Sequence, residues 1–167
     1  MWNDKRKVVD AAVLKKAEWA AAEGITLHYC TQFCFEPQPI IDWEARTRAA
    51  LRQRLGPDKK LPFVTLGVAG PAKISALIKF AQMSGVGASM RFVTKYAGNV
   101  LKLATKAAPD ELVAGLAAHS MSDDEFLVKR LHYYTFGGLN STLAWANGTA
   151  GGDFELAADQ KSFSVKH

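Results

Sequence analysis

One side-chain amide stands in an uncharged, aromatic and β-branched run, Ile25-Thr26-Leu27-His28-Tyr29-Cys30-Thr31-Gln32-Phe33-Cys34-Phe35. Gln32 can donate and accept hydrogen bonds at once, which the amide edge of a pterin or flavin requires of a partner. The same residue has a structural use, bonding to the neighbouring backbone, and the residues alone leave the two uses level. Tyr96 and Phe136 offer flat faces to an aromatic ligand, although aromatics in such places more often fill a core. Gly137-Gly138 ahead of a helix would let backbone N–H groups approach an anion, yet the pair matches neither a Walker loop nor a dinucleotide fingerprint and more often makes a tight turn. His132, at the start of a strand, reads as a histidine with a structural partner. The four histidines (28, 119, 132 and 167) and two cysteines show no metal-ligand spacing. Neither a nucleophile with its own base nor a pair of carboxylates emerges, so hard chemistry here would belong to a cofactor.

Hydrophobic spacing predicts the elements that hold these residues. Residues 4–23 carry Val9, Ala12, Val13 and Trp19 at helical spacing, with Asp4 as a cap and Gly24 as a stop. Residues 25–35 read as a strand buried on both sides, as in a parallel sheet. Alternation puts His28, Cys30, Gln32 and Cys34 on one face and Tyr29, Thr31, Phe33 and Phe35 on the other. The two thiols then lie about 13 Å apart, beyond the roughly 7 Å a disulfide spans, and are expected to be free and buried. Glu36-Pro37-Gln38-Pro39 ends the strand, and a helix over 40–55 closes at Gly56. A second buried strand covers 61–68, and Gly70-Pro71 opens a helix through Ile74, Leu77 and Ala81. Two more helices follow, over 90–106 and from Pro109 through Leu112 and Leu116. A third strand over 131–136 turns at Gly137-Gly138 into a short helix over 139–146. Successive βα units imply right-handed crossovers on a parallel sheet, where ligands meet the C-terminal strand ends. Those ends are Thr31-Gln32-Phe33, Leu66-Gly67-Val68 and Thr135-Phe136-Gly137-Gly138.

With 167 residues, 49% hydrophobic and 22% charged, the chain suits one globular domain, well short of the roughly 250 residues of a full (β/α)8 barrel. Residues 1–147 form the expected α/β domain and 148–167 a loosely held tail. Three parallel strands leave two unpaired edges, which predicts association with itself or with another chain. The net charge of +5 gathers partly in Arg46, Arg48, Arg52 and Arg54, which spread around a helix and read as solvated faces. No nucleic-acid signature accompanies them, and an anionic small ligand suits the charge better. The start lacks the apolar core of a signal peptide. Residues 131–152 are free of Asp, Glu, Lys and Arg but too rich in Gly, Asn and hydroxyls for a membrane helix. A cytoplasmic protein that binds neither membrane nor nucleic acid is expected.

At Tyr29-Cys30-Thr31-Gln32-Phe33-Cys34-Phe35-Glu36 the chain resembles the methylenetetrahydrofolate reductase family, whose barrels carry a Thr-Gln-Phe-Phe-Phe-Asp type strand end. Gly67-Val68 through Phe80-Ala81-Gln82-Met83-Ser84-Gly85-Val86 is similar to that family's Pro-Gly-Ile loop and following helix, with Leu66 in place of the proline. His132-Tyr133-Tyr134-Thr135-Phe136 resembles its His-Phe-Tyr-Thr-Leu last strand. The resemblance covers most of residues 12–147 and implies the C-terminal portion of a TIM (β/α)8 barrel, its sixth to eighth strands. It implies an oxidoreductase of one-carbon metabolism and methionine biosynthesis, in which FAD passes a hydride from NAD(P)H to 5,10-methylenetetrahydrofolate, giving 5-methyltetrahydrofolate. By position Gln32 would bind the pterin, Tyr96 would stack on folate or nicotinamide, and Phe136 would flank the pocket. Gly138 falls where the family has an arginine, and Ala20 near where many members have a flavin-contacting lysine. The acidic catalytic residue and most FAD contacts belong to strands without a counterpart here. Expected partners are therefore the folate substrate and either a second copy or an N-terminal half-barrel. The alternatives are a non-catalytic folate- or pterin-binding or regulatory module, and an unrelated small α/β domain in which Gln32 is structural.

Overall fold

The computed structural model describes residues 2–84 and 106–166. The helix expected over 90–106, with Tyr96 in it, lies outside the described residues. In chain order the elements are α1 (Trp2–Ala22), β1 (His28–Cys34), α2 (Pro37–Leu55), β2 (Phe63–Ala69), β3 (Ala72–Lys73), α3 (Ile74–Met83), β4 (Lys106–Ala107), α4 (Asp110–Ser122), β5 (Val128–Tyr134), α5 (Leu139–Gly151), β6 (Phe154–Leu156) and β7 (Phe163–Val165). The three long strands form one parallel sheet in the order β1-β2-β5, so successive βα units lie side by side. Among the described residues the sheet does not close into a barrel, and β1 and β5 are its edges.

Local chemistry accounts for the element ends. Gly24 follows α1 at φ 67, a left-handed conformation that suits a residue without a Cβ. Pro37 and Pro39 do not exclude α2 but sit in its first turn, where the missing N–H groups have no helical partner anyway. Arg52 and Arg54 lie in its last turn, opposite in sign to that end of the helix dipole. Leu14 and Ala17 of α1, Ile40 and Leu51 of α2, and Leu112 and Leu116 of α4 then pack on Val64, Leu66 and Val68 of β2, a helical layer on one face of the sheet. On the other face, Ala72 of β3 and Leu77 and Ala81 of α3 cover only the C-terminal ends, around Phe33 and Ala69. Further back on that face, His28, Cys30 and Arg130 are exposed. Among the described residues no helix is long and apolar enough to cross a membrane.

Four features depart from the spacing. β1 is not buried on both sides, because His28 and Cys30 are exposed on one face; Cys30 is therefore an exposed free thiol rather than a buried one. Its alternation breaks as well: Cys30 pairs with Thr65 but Phe33 with Gly67, so β1 has one residue more than β2 across that interval, a bulge. Phe33 thereby joins Ala69 and Tyr134 on the open side, while Cys34 joins the helix-covered core with Tyr29. β5 begins at Val128, which makes His132 a mid-strand residue rather than a first one. Finally, α5 runs on to Gly151 and residues 154–165 form an antiparallel hairpin, β6 with β7, in place of a loose tail. Phe163 is 6% exposed and stacks on Trp145 with ring centroids 5.7 Å apart.

Candidate functional site at the C-terminal strand ends

The bulge at Thr31-Gln32 organises this end of the sheet. Gly67 lies against it so closely that a Cβ there would sit 2.7 Å from the Gln32 carbonyl and from the Thr31 oxygen. The Gly67 N–H donates to Thr31 Oγ1 at 3.0 Å, and that hydroxyl donates in turn to the Gln32 carbonyl at 2.8 Å. His132 is the register partner of Gly67 on β5. With no β2 side chain in the way, its Nε2 reaches the Thr31 carbonyl oxygen at 3.0 Å, where Tyr134 Oη also arrives at 3.5 Å. A carbonyl only accepts, so Nε2 carries the ring proton. Gln32 itself is exposed, and its Oε1 accepts the Phe33 N–H at 3.1 Å. The structural use of this amide is thus realised for one lone pair; the two N–H donors and the second lone pair still form an amide edge.

Phe136, the second residue singled out by sequence, belongs to an aromatic cluster beside the bulge. Phe33 meets Phe136, Tyr134 and Phe35 edge-on at 5.0, 5.3 and 5.6 Å, and Phe80 stacks on Phe136 at 4.6 Å. Phe136 has φ 46 and Gly137 φ 81, two successive left-handed residues, and the Gly138 N–H donates to the Thr135 carbonyl at 2.7 Å, which closes a tight turn. A bulky residue at positive φ costs of order 1–3 kcal/mol, which the ring contacts of Phe136 offset. The glycine pair therefore spends the Gly138 N–H on the turn itself. A Cβ at Gly138 would lie 3.0 Å from the Pro71 oxygen, so the arginine that the resemblance would place at this position needs that neighbour to give way by a few tenths of an ångström. Gln32 and Phe136 are brought to one end of the sheet, linked through Phe33; Tyr96 is outside the described residues.

The open face carries a feature that the spacing did not single out. His28 stacks on Phe63 at 5.1 Å, and the Arg130 guanidinium lies 5.1 Å from the centre of the same ring. No Asp or Glu occurs on β1, β2 or β5. The face is positive and aromatic. Only strand register brings these three residues together, and the charges of Lys129 and Arg130 hid the start of β5. Cys34, by contrast, lies among apolar groups that push its thiol up to about 11, against a smaller opposite effect of a hydrogen bond with Thr31. Among the described residues no group of three or more His, Cys, Asp and Glu side chains could hold a metal ion.

The opposite end of the sheet holds the buried charges. Glu44 is fully buried; its Oε1 accepts the Leu127 N–H at 3.0 Å and pairs with Arg48 Nε at 3.1 Å, while Oε2 has no hydrogen-bond partner. Burial pushes the Glu44 carboxyl above its ordinary range, against the Leu127 and Arg48 contacts. Arg48 grips Asp123 with two bonds, at 3.0 and 2.5 Å, and holds that carboxyl below its ordinary range. Arg52 donates to the Pro57 and Lys59 carbonyls. Arg48 and Arg52 are thus not solvated helix faces but clamps between α2, the loop after it and the segment leading into β5. A cleft of about 220 Å³ also opens here, lined in part by Ala17, Ala20, Leu27, Lys59 and Lys60. Ala20, 2% exposed, is therefore a wall residue at the N-terminal strand ends, remote from Gln32 and from the place of a flavin contact in such a fold. The described side chains at the mouth pack on one another. Compared with models of protein families, the chain matches none.

Proposed function

We propose that this chain supplies the folate-side half of a methylenetetrahydrofolate reductase-like (β/α) barrel, working in the cytoplasm. In that reaction FAD carries a hydride from NAD(P)H to 5,10-methylenetetrahydrofolate and yields 5-methyltetrahydrofolate. The observation that carries the reading is Gln32, which the bulge leaves exposed at the C-terminal end of a singly wound parallel sheet, with amide donors and a lone pair still to offer. Phe136 and Phe33 would back the pterin ring from the same end. FAD and the catalytic acid would reside on a further half-barrel, since by resemblance their contacts belong to strands without a counterpart here. No step of hydride transfer is assigned to this chain.

That same observation favours a second reading, a non-catalytic folate- or pterin-binding or regulatory module. The two separate on flavin. A chain that gains bound flavin together with a partner half-barrel is the reductase; one that binds folate with no flavin in any assembly is the module. Both rest on Gln32. Titration of the full chain with 5-methyltetrahydrofolate should show binding that Gln32→Ala weakens by about 1–3 kcal/mol, with the fold intact by circular dichroism. Equal affinity for the two proteins overturns both readings and leaves Gln32 with its bond to Phe33 alone.

A further inference from the structure

We infer that His132 is the positioning residue for Gln32, acting through the Thr31 carbonyl; this rests on reading Gln32 as the ligand-binding amide. The carbonyl of Thr31 and the N–H of Gln32 belong to one planar peptide group that ends at the Gln32 Cα, so whatever fixes the oxygen also fixes the atom from which the Gln32 side chain leaves the strand. At a bulge the ladder no longer does this. His132 does it from two strands away. Its ring crosses β2 at Gly67, the one place without a side chain, and its Nε2–H holds the Thr31 oxygen at 3.0 Å. At the next peptide group, Gln32 Oε1 accepts the Phe33 N–H. Three residues on three strands therefore work as one device: Gly67 leaves the gap, His132 spans it, and Gln32 is the side chain presented. His132 itself does not touch the ligand.

Two measurements on the full chain test this. The first uses nuclear magnetic resonance: His132 should appear in the Nε2-protonated form, and His132→Ala should shift the Gln32 side-chain amide signals and speed exchange of the Phe33 N–H at least tenfold. His132→Gln, which restores an N–H donor, should recover part of both. Where His132→Ala does not fold, His132→Leu fills the space without a donor and is read in the same way. Unmoved Gln32 and Phe33 signals overturn the inference whether or not folate binds. The second is a titration with 5-methyltetrahydrofolate. His132→Ala should weaken binding about tenfold when Gln32 is present and hardly at all in a Gln32→Ala background, because the two residues act as one unit. Equal losses in the two backgrounds show a general structural role and overturn the inference. A wild-type chain that ignores 5-methyltetrahydrofolate while the Gln32 signals move removes the folate reading and leaves the positioning role standing.

Discussion

The two cysteines, four residues apart, show how far one extra residue in a strand reaches. Because the bulge lies between them, Cys30 faces solvent while Cys34 enters the core with its thiol pushed up to about 11. Thiolate is the reactive form, so a disulfide reagent at pH 8 should modify Cys30 at least tenfold faster than Cys34. Stopped-flow labelling of Cys30→Ser and Cys34→Ser checks this, and similar rates would contradict the bulge. Glu44 makes a second residue-scale case, with a sign that can be worked out. Its carboxyl is raised by burial, so protonated Glu44 favours the fold, and that contribution is lost as pH rises through its raised value. Asp123 is lowered by Arg48, so its contribution is present above the ordinary aspartate range and is lost as pH falls through the lowered value. Stability measured by urea unfolding should therefore rise on mild acidification from neutral pH and fall again in strong acid. Glu44→Gln should flatten the first limb, whereas Glu44→Ala, which strips Arg48 and the Leu127 N–H of a partner, should cost about 3–5 kcal/mol. A wild-type stability that falls steadily from pH 7 downwards would show that Glu44 is ionised without penalty. Neither residue's state was readable along the chain. Glu44 sits in a charged helix that reads as solvated, and the Leu127 N–H that it accepts is 83 residues away.

At the scale of elements, what was legible and what was not divide by the range of the interaction. Helices α1, α2 and α4 declare themselves through local spacing, glycine stops and prolines in or before a first turn, and the parallel sheet follows from strands separated by helices. The bulge did not declare itself, because what holds it comes from Gly67, His132 and Tyr134 on other strands. Gln32 and Phe136 could be picked as types, but not the Thr31 bond network that places the first or the left-handed turn that holds the second. The C-terminal hairpin was missed for a similar reason. Its glycines and short polar strands look like a tail, yet Gly148 on α5 leaves no room for a Cβ beside Val165, and Phe163 stacks on Trp145. This gives a direct expectation. Phe163→Ala should destabilise the whole domain by about 3–5 kcal/mol, the usual cost of emptying a buried aromatic site, and deletion of residues 153–167 should cost at least as much. A deletion that leaves the thermal midpoint in place would restore the loose tail.

For the whole molecule, the half of one sheet face that carries the exposed His28, Cys30 and Arg130 bears on association. Among the described residues two edges, β1 and β5, end the sheet, and one face is covered only at its C-terminal ends. Unpaired strand edges template further pairing. Apolar side chains are also exposed on the helices, Val8, Val9 and Trp19 on α1 and Leu139 and Leu143 on α5. Such an arrangement favours association in which a neighbour continues the strand order at either edge. The charge of the open face constrains the neighbour. Arg130 and His28 flank Phe63 with no carboxylate on any of the three strands, so two copies closing face to face would bring two Arg130 side chains into one interior. Unpaired buried cations of that kind cost several kcal/mol each. Self-association through this face should therefore be weak, should tighten as salt screens the repulsion, and should strengthen markedly in Arg130→Met. A second chain with carboxylates on its inner face needs neither change. Sedimentation equilibrium of the wild type and Arg130→Met at low and high salt separates the cases. A tight wild-type dimer at low salt that Arg130→Met leaves unaltered would mean that the copies meet elsewhere, with the open face still directed to solvent.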